Sequence, residues 1–317
     1  MTMVRGQYAQ LMAPGAHGVF VQWRDTLQRK TTWSEVFHVE TSKKAYEDEF
    51  EMVGLPPMPE KPENNPVAYA QFIQGGTKRY IHLTYALAAR YSWELMEDEQ
   101  YGIVKTGSKA LVRSSVFTKE MVIWNTFNQG FSNVITIDGK SLFHNQHPLQ
   151  GGPAATNIGP GLSGIISLAG TYPNRPAVDI DVSLAAIQTM TNHFERLVDA
   201  QGMPVVYKPN MILAAPENRF LLRELLGSPG KPGTATNEIN SLLGEELRYG
   251  TVPYFTSASA WYAVCDKSQH QLKVFERKQL DEDYDDDFDT DATKQKAKMR
   301  FSVGASHWMG TWGSNGP

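Results

Sequence analysis

The chain is 317 residues long, 41% apolar and 20% charged, with 34 acidic against 30 basic side chains and a formal net charge of −4. That length supports about two domains with ample core, and the near-balanced charge excludes the strong basic field that announces a nucleic-acid surface. The single cysteine excludes an internal disulfide framework and favours an intracellular origin, while the lack of a leader pattern and of any run of roughly 18 apolar residues predicts a protein neither exported nor embedded in a membrane by its own signals.

Residues 1–45 read as an arm: Leu11, Val19, Phe20, Val21 and Trp23 are interspersed with glycine and charge, without a sustained period. Tyr46 to Val53 alternates, with Glu47, Glu49 and Glu51 on one side and Phe50 and Met52 on the other, as in a half-exposed strand. Five prolines between Pro56 and Pro66 predict a stiff, extended tip. Val67 to Gln74 resumes as a strand, and after Gly75-Gly76 a third stretch sets Ile81, Leu83, Tyr85 and Leu87 opposite His82, Thr84 and Ala86. A thin ribbon of this kind is marginal alone in water and needs another surface to pack on.

Ser92 caps the acidic start Glu94, Glu97, Asp98 and Glu99, and one long helix is predicted to run from there to Gly130. Ile103, Gly107, Ala110, Ser114, Phe117, Met121 and Trp124 form its apolar stripe, and Gly130 supplies a left-handed stop. About thirty residues make a rod about 45 Å long, either a core helix or the spine of an extended assembly subunit. Beyond it the sequence predicts a strand at 134–137, a glycine-rich loop at 151–170, and a helix capped by Ser183 with Leu184, Ile187, Phe194, Leu197 and Val198 inward, closing at Gly202. A strand at 211–214, a helix at 217–226, a Pro/Gly loop at 228–233, and strands at 252–255, 261–264, 272–276 and 297–303 complete the reading. Residues 183–266 make a plausible α/β domain.

Several motifs invite chemistry. Gly159-Pro160-Gly161-Leu162-Ser163-Gly164 matches the three-glycine dinucleotide spacing but follows no strand and carries Pro160 in the turn. His144 and His147 stand three apart without cysteines or an acidic partner at motif spacing, and read as a loop pair. The acidic run 281–291 lacks the glycine and glutamate positions of a helix–loop–helix calcium site and reads as a solvated, self-repelling loop, with weak cation binding as the second reading. Cys265, in the apolar run Trp261 to Val264, reads as a small buried hydrophobe. No catalytic, cofactor or metal residue is expected. The competing class is a two-domain α/β enzyme, metal-dependent or hydrolytic, using the acidic run or the two histidines; a tail or portal component forming rings is a third.

Three stretches in this order carry a family resemblance: Leu95-Met96-Glu97-Asp98-Glu99-Gln100-Tyr101-Gly102 before the long helix; Asp138-Gly139-Lys140-Ser141-Leu142-Phe143 with His147-Pro148-Leu149 and Gly151-Gly152; and Arg300-Phe301-Ser302-Val303-Gly304 before Trp308-Met309-Gly310. From about Tyr46 to Pro317 the chain resembles the major capsid proteins of tailed bacteriophages, closest to the Mu-like major head subunit group. The resemblance implies an α+β, Hong Kong 97-type capsid fold: an N-terminal arm (1–45), an extended β-hairpin loop (46–91) lying over a neighbouring subunit, a peripheral domain (92–182 and 267–317) containing a spine helix (99–130), and an axial domain (183–266). It implies a non-enzymatic major head protein of the virion that self-assembles as pentamers and hexamers into an icosahedral shell around packaged DNA, held non-specifically, after assembly in the host cytoplasm.

Further implied partners are a separate scaffold protein, since the chain starts at Met1 close to the arm, with a portal and a decoration protein; no membrane is involved. Glu47, Glu49, Glu51, Lys61, Lys78 and Arg79 are the candidate subunit contacts. Some relatives join subunits by a lysine–asparagine bond; no local signature selects Lys61, Lys78 or Asn315 for one, and no crosslink is expected.

Overall fold

The computed structural model describes residues 8–28, 31–55, 58, 60–98, 102–148, 171–199, 203–231, 238–287 and 289–316. In chain order its elements are α1 (Tyr8–Gln28), α2 (Trp33–Val36), β1 (His38–Thr41), β2 (Tyr46–Val53), β3 (Ile73–Ile81), β4 (Leu83–Tyr91), α3 (Trp93–Glu97), α4 (Ile103–Asn128), β5 (His147–Pro148), β6 (Thr171–Tyr172), α5 (Leu184–Glu195), β7 (Pro209–Ala214), α6 (Arg219–Gly227), β8 (Arg248–Thr251), β9 (Trp261–Cys265), β10 (Leu272–Asp287), β11 (Ala292–Ala305) and β12 (Thr311–Ser314). The chain divides into two compact units, the first comprising Met1–Glu47, Tyr80–Ile123 and Val274–Val303, the second Asp48–Arg79, Trp124–Lys273 and Gly304–Pro317.

The first unit is built on a four-stranded sheet of order β1-β10-β11-β4, with β11 antiparallel to β4 from Thr293 opposite Tyr91 to Phe301 opposite Leu83. Trp33, Phe37, Tyr80, Leu111, Val112, Phe275, Met299 and Phe301 are buried there, with Tyr80 on Phe275 at 4.9 Å between ring centroids. Gly107 is needed where α4 meets β4, because a Cβ at that position would lie 1.9 Å from the Tyr91 hydroxyl. In the second unit β12, β9, β7 and β8 form a sheet. The largely apolar strands β7 and β9 pair antiparallel, and β8 joins β7 in parallel. Ile187, Met190 and Phe194 of α5 and Leu222 and Leu225 of α6 pack with Trp261 and Trp312 in its core. Ser183 caps α5 by accepting from the Ala186 amide at 3.2 Å, as its sequence predicts. Gly202, the expected end of that helix, lies outside the described residues, as does the glycine-rich 151–170 loop with its three-glycine motif.

Several sequence expectations fail for identifiable reasons. Residues 8–28 are helical although their sequence shows no sustained period: the buried Phe20, a hydrogen bond between His17 Nδ1 and Glu282 at 3.0 Å and Lys109 over the Trp23 ring at 5.1 Å supply tertiary contacts that override weak local preference. The single rod is two helices. Ser92 does cap α3, accepting from the Leu95 amide at 3.4 Å, but Gly102 adopts φ +67° before α4 begins, a conformation that breaks a helix. The expected stripe of α4 is off by one position along most of its length: Val104, Ser108, Leu111 and Val112 are buried, whereas Ile103, Phe117 and Met121 are 39%, 51% and 47% exposed; its last member, Trp124, is buried as expected. Gly130 stops the helix by close packing, since a Cβ there would meet the Phe143 ring at 2.6 Å, and it is not among the residues of positive φ.

Residues 134–137 lead into a tight turn, closed by the Thr136 amide donating to the Lys140 carbonyl at 2.8 Å, with Gly139 at φ +78° and Ile135 bridging Ser141. β3 begins at Ile73, and the next strand after α6 is β8, which ends at Thr251, before the expected 252–255. The largest departure is the acidic run, of which Asp281 to Asp287 lie within β10. Across the hairpin Asp287 pairs with Lys294 at 2.8 Å, and Asp283 pairs with Lys298 and, at 3.8 Å, with Lys296. The cross-strand cations remove the repulsion that predicted a loop, and the Lys294 ammonium holds the Asp287 carboxyl below the usual range.

Candidate assembly surface

The alternation expected of β2 is real, and the structure gives it a direction. Within the second unit Glu49 and Glu51 turn inward, while Asp48 lies on the exposed face with Phe50 and Met52. Glu49 pairs with Lys273 and accepts from the Ser306 hydroxyl, Glu51 accepts from His307 Nε2 at 3.0 Å, and Asp48 takes the Arg79 guanidinium in a two-pronged contact of 2.7 and 2.8 Å. The donor to Glu51 is assignable, because His307 Nδ1 accepts the Met309 amide at 3.1 Å and the ring proton is therefore on Nε2. Lys78 of β3 donates to the carbonyls of Ile135 at 2.7 Å and Ala305 at 2.6 Å, and burial lowers its ammonium pKa to about 8 against the raising influence of Glu49. Between these anchors Gly76 passes so close to the 134–137 turn that a Cβ would stand 2.3 Å from the Ile137 carbonyl oxygen.

The apolar side chains point the other way. In the second unit Phe50 and Met52 of β2 are 62% and 61% exposed, and Met58, Tyr69 and Phe72 of the intervening loop are 94%, 97% and 65% exposed. In the first unit Ile81, Leu83 and Leu87 are also exposed, while His82 is buried between the hydroxyls of Ser302 at 3.0 Å and Ser42 at 3.1 Å. Scattered exposed hydrophobics are ordinary. A ribbon that engages its carboxylates within its own chain and shows its aromatics has the polarity of an interface.

The sequence-selected contact residues thus have intrachain partners wherever they are charged and near the ribbon's base. Glu47 takes Ser42 at 2.7 Å and Lys44 at 2.9 Å, and Glu49, Glu51, Lys78 and Arg79 anchor the ribbon as described. Lys61 is exposed in the loop. Pro56, Pro57 and Pro59 of the tip lie outside the described residues. The partners Lys273, Ser306 and His307 have no local signal, because their role depends on pairing across more than 200 residues of chain. The outward Phe50 and Met52 carry a signal, the alternation itself, which gives spacing and leaves direction open.

The histidine pair and Cys265 hold structural positions. His147 is fully buried, stacked on Trp308 at 4.6 Å, with Asp138 at 2.6 Å and Asn174 Oδ1 at 3.1 Å. Asn174 also accepts the His144 amide at 2.9 Å and donates to the Leu142 carbonyl at 2.7 Å, so one buried amide ties three segments together. Burial pushes the Asp138 carboxyl up, but hydrogen bonds from His147, Thr136 and the Lys140 amide outweigh it and leave the group below its ordinary range. Burial pushes the Cys265 thiol up to about 12, as befits an inert core residue. Among the described residues no three His, Cys, Asp or Glu side chains gather as a metal site, and no helix is long and apolar enough to cross a membrane.

A family model described as phage capsid protein matches residues 77–313. No curated protein matches the sequence. Among solved structures, the capsid of cyanophage P-SCSP1u aligns with TM-score 0.58 at 8% identity over 90% of this chain and 88% of that one. A chain of Microbacterium phage Oxtober96 aligns with TM-score 0.53 at 11% identity over 89% of each chain. The capsid of bacteriophage JBD30, decorated with minor capsid protein trimers, aligns with TM-score 0.52 at 12% identity over 71% of this chain and 91% of that one. The fold is the Hong Kong 97-type capsid fold.

Proposed function

This chain belongs to the phage capsid protein family, and from that premise we propose that it is the Mu-like major head subunit, closing as pentamers and hexamers into an icosahedral shell around packaged DNA. It is a structural, non-enzymatic protein of the virion capsid. The carrying observation is the polarity of the ribbon: its charges are engaged within the second unit, and Phe50 and Met52 are left outward. Burial against a neighbouring copy would remove those apolar groups from water, which is the dominant favourable contribution to association. In this reading 1–45 is the arm, 46–91 the loop over the neighbour with Lys61 among its contacts, 92–182 and 267–317 the peripheral domain, and 183–266 the axial domain. A separate scaffold protein, a portal and a decoration protein complete the head, which forms in the host cytoplasm. The enzyme alternative is set aside: its histidine and its aspartates are held in the His147–Asp138–Asn174 cluster and the β10–β11 ion pairs, and the family is structural.

The test is negative-stain electron microscopy with light scattering on the full chain, expressed alone and with its neighbouring phage genes. Closed shells, or pentamers and hexamers that convert to shells, are expected, and replacing residues 55–72 by a short turn should arrest assembly before closure. A monodisperse monomer under every condition would overturn the reading, and rings or tubes would redirect it to a tail or portal component.

A further inference from the structure

Most lysines in the described parts of the first unit are engaged: Lys44, Lys119, Lys278, Lys294, Lys296 and Lys298 all lie within ion-pair distance of a carboxylate. Lys105, Lys109 and Arg113 of α4 are not, and no carboxylate stands within ion-pair range of any of them among the described residues. They recur every four residues, so they wind slowly around one flank of the helix. Lys105 and Arg113 are exposed and Lys109 is half-buried, its ammonium held over the partly exposed Trp23 ring at 5.1 Å. Four residues of helix rise about 6 Å, so the three charges span about 12 Å of a rigid element.

We propose that this flank of α4 binds the phosphate backbone of duplex nucleic acid without reading its sequence. A single strand of a duplex presents a phosphate about every 3.4 Å along the axis, so about 12 Å of backbone offers three or four charges to three cations. The neighbouring positions favour a polyanion over an acidic protein partner. Thr106 and Ala110 border the row, and neither offers the large apolar anchor that a protein interface needs; the exposed Phe117 and Met121 continue the same four-residue step beyond Arg113. Small side chains let a phosphate chain approach closely. The inference rests on the capsid reading only for where such nucleic acid would be met, namely the enclosed genome, and its chemistry stands on the helix alone.

The experiment is fluorescence anisotropy of a labelled 30-base-pair duplex titrated with the full, unassembled chain between 50 and 200 mM salt. Three phosphate contacts give a salt slope of about −2.7, or roughly a fortyfold loss of affinity over that range. The triple variant Lys105→Gln, Lys109→Gln, Arg113→Gln should lose that part of the slope, while Lys105→Arg, Lys109→Arg should retain it; both must melt like the parent protein. Unchanged affinity and slope in the triple variant would overturn the proposal. So would an equal loss from neutralising Arg219, Arg223 and Lys231, or a polyglutamate probe that binds more tightly than DNA through the same three residues. Particle images of the parent protein are recorded alongside, so that a failure to form shells counts against the capsid reading and leaves the DNA titration to judge the helix.

Discussion

Replacing Phe50 and Met52 by alanine separates folding from assembly. Both side chains lie on the outward face of β2, 62% and 61% exposed, so the isolated subunit should scarcely register their loss; surface substitutions of this kind usually change stability by no more than about 0.5 kcal/mol. Full burial of a Phe or Met side chain is worth about 1.5–3 kcal/mol. With roughly six-tenths of each still open to water, covering the pair against a neighbour contributes about 2–4 kcal/mol per subunit by the same transfer scale. Since about 1.4 kcal/mol is a factor of ten, the protein concentration at which shells appear should rise by one and a half to three orders of magnitude. Light scattering against protein concentration measures that threshold, and a thermal melt of the unassembled chain provides the control. Shells at the parent threshold would show that this face is not buried in assembly. A variant that no longer folds would show that the two side chains are held in the core of their own unit, contrary to their exposure.

Three further substitutions probe the packing that positions the ribbon. Burial lowers the His193 pKa to about 4 from 6.5. The unfolded chain therefore takes up that proton first, and stability falls as pH drops from about 6.5 to about 4, by at most about 3 kcal/mol for the group; His193→Gln should flatten this part of a denaturation-against-pH curve. Asp138→Asn removes the anionic partner of buried His147, a change that typically costs about 3–5 kcal/mol. Because His147 stacks on Trp308, tryptophan fluorescence during denaturant unfolding reads it directly, and an unchanged midpoint would refute the structural role. Gly76→Ala drives a methyl into the Ile137 carbonyl, for an overpacking cost of about 1–3 kcal/mol, and should hasten proteolysis between residues 54 and 72; a cleavage rate equal to the parent's would count against the close approach.

Local signals in the sequence located much of the fold. Ser92 and Ser183 are caps that work within one turn, and β7 and β9 are short apolar runs whose burial on both faces follows from composition alone. The faces of β2 and α4 could not be read the same way, because periodicity gives spacing and leaves direction to be assumed. In a monomer the assumption that apolar means inward is safe. In this chain it fails at Phe50, Met52 and Phe117, which point outward. The break between α3 and α4 was missed for another reason: Gly102 was read as part of a motif, and its left-handed backbone has no signature beyond the residue type.

The acidic run shows what a local reading of charge leaves out. Neighbouring aspartates along a chain repel, and by that measure 281–291 is a loop. Yet in a strand alternate residues face alternate sides, and Asp281, Asp283, Asp285 and Asp287 have period two. So do Lys294, Lys296, Lys298 and Arg300, beginning seven residues further on. A hairpin that brings these two rows together turns repulsion within each row into attraction between them, and Asp283 with Lys298 and Asp287 with Lys294 are that attraction realised. Opposite charges across strands contribute only about 0.2–1 kcal/mol per pair, so the ladder does not by itself hold the hairpin. Its effect is on register, since a slip of one residue would move every carboxylate to the face away from its lysine. The same long hairpin presents Glu282 to His17 of α1 and Gln295 to Ser108 of α4, so the register of β10 against β11 determines where α4 sits within the first unit.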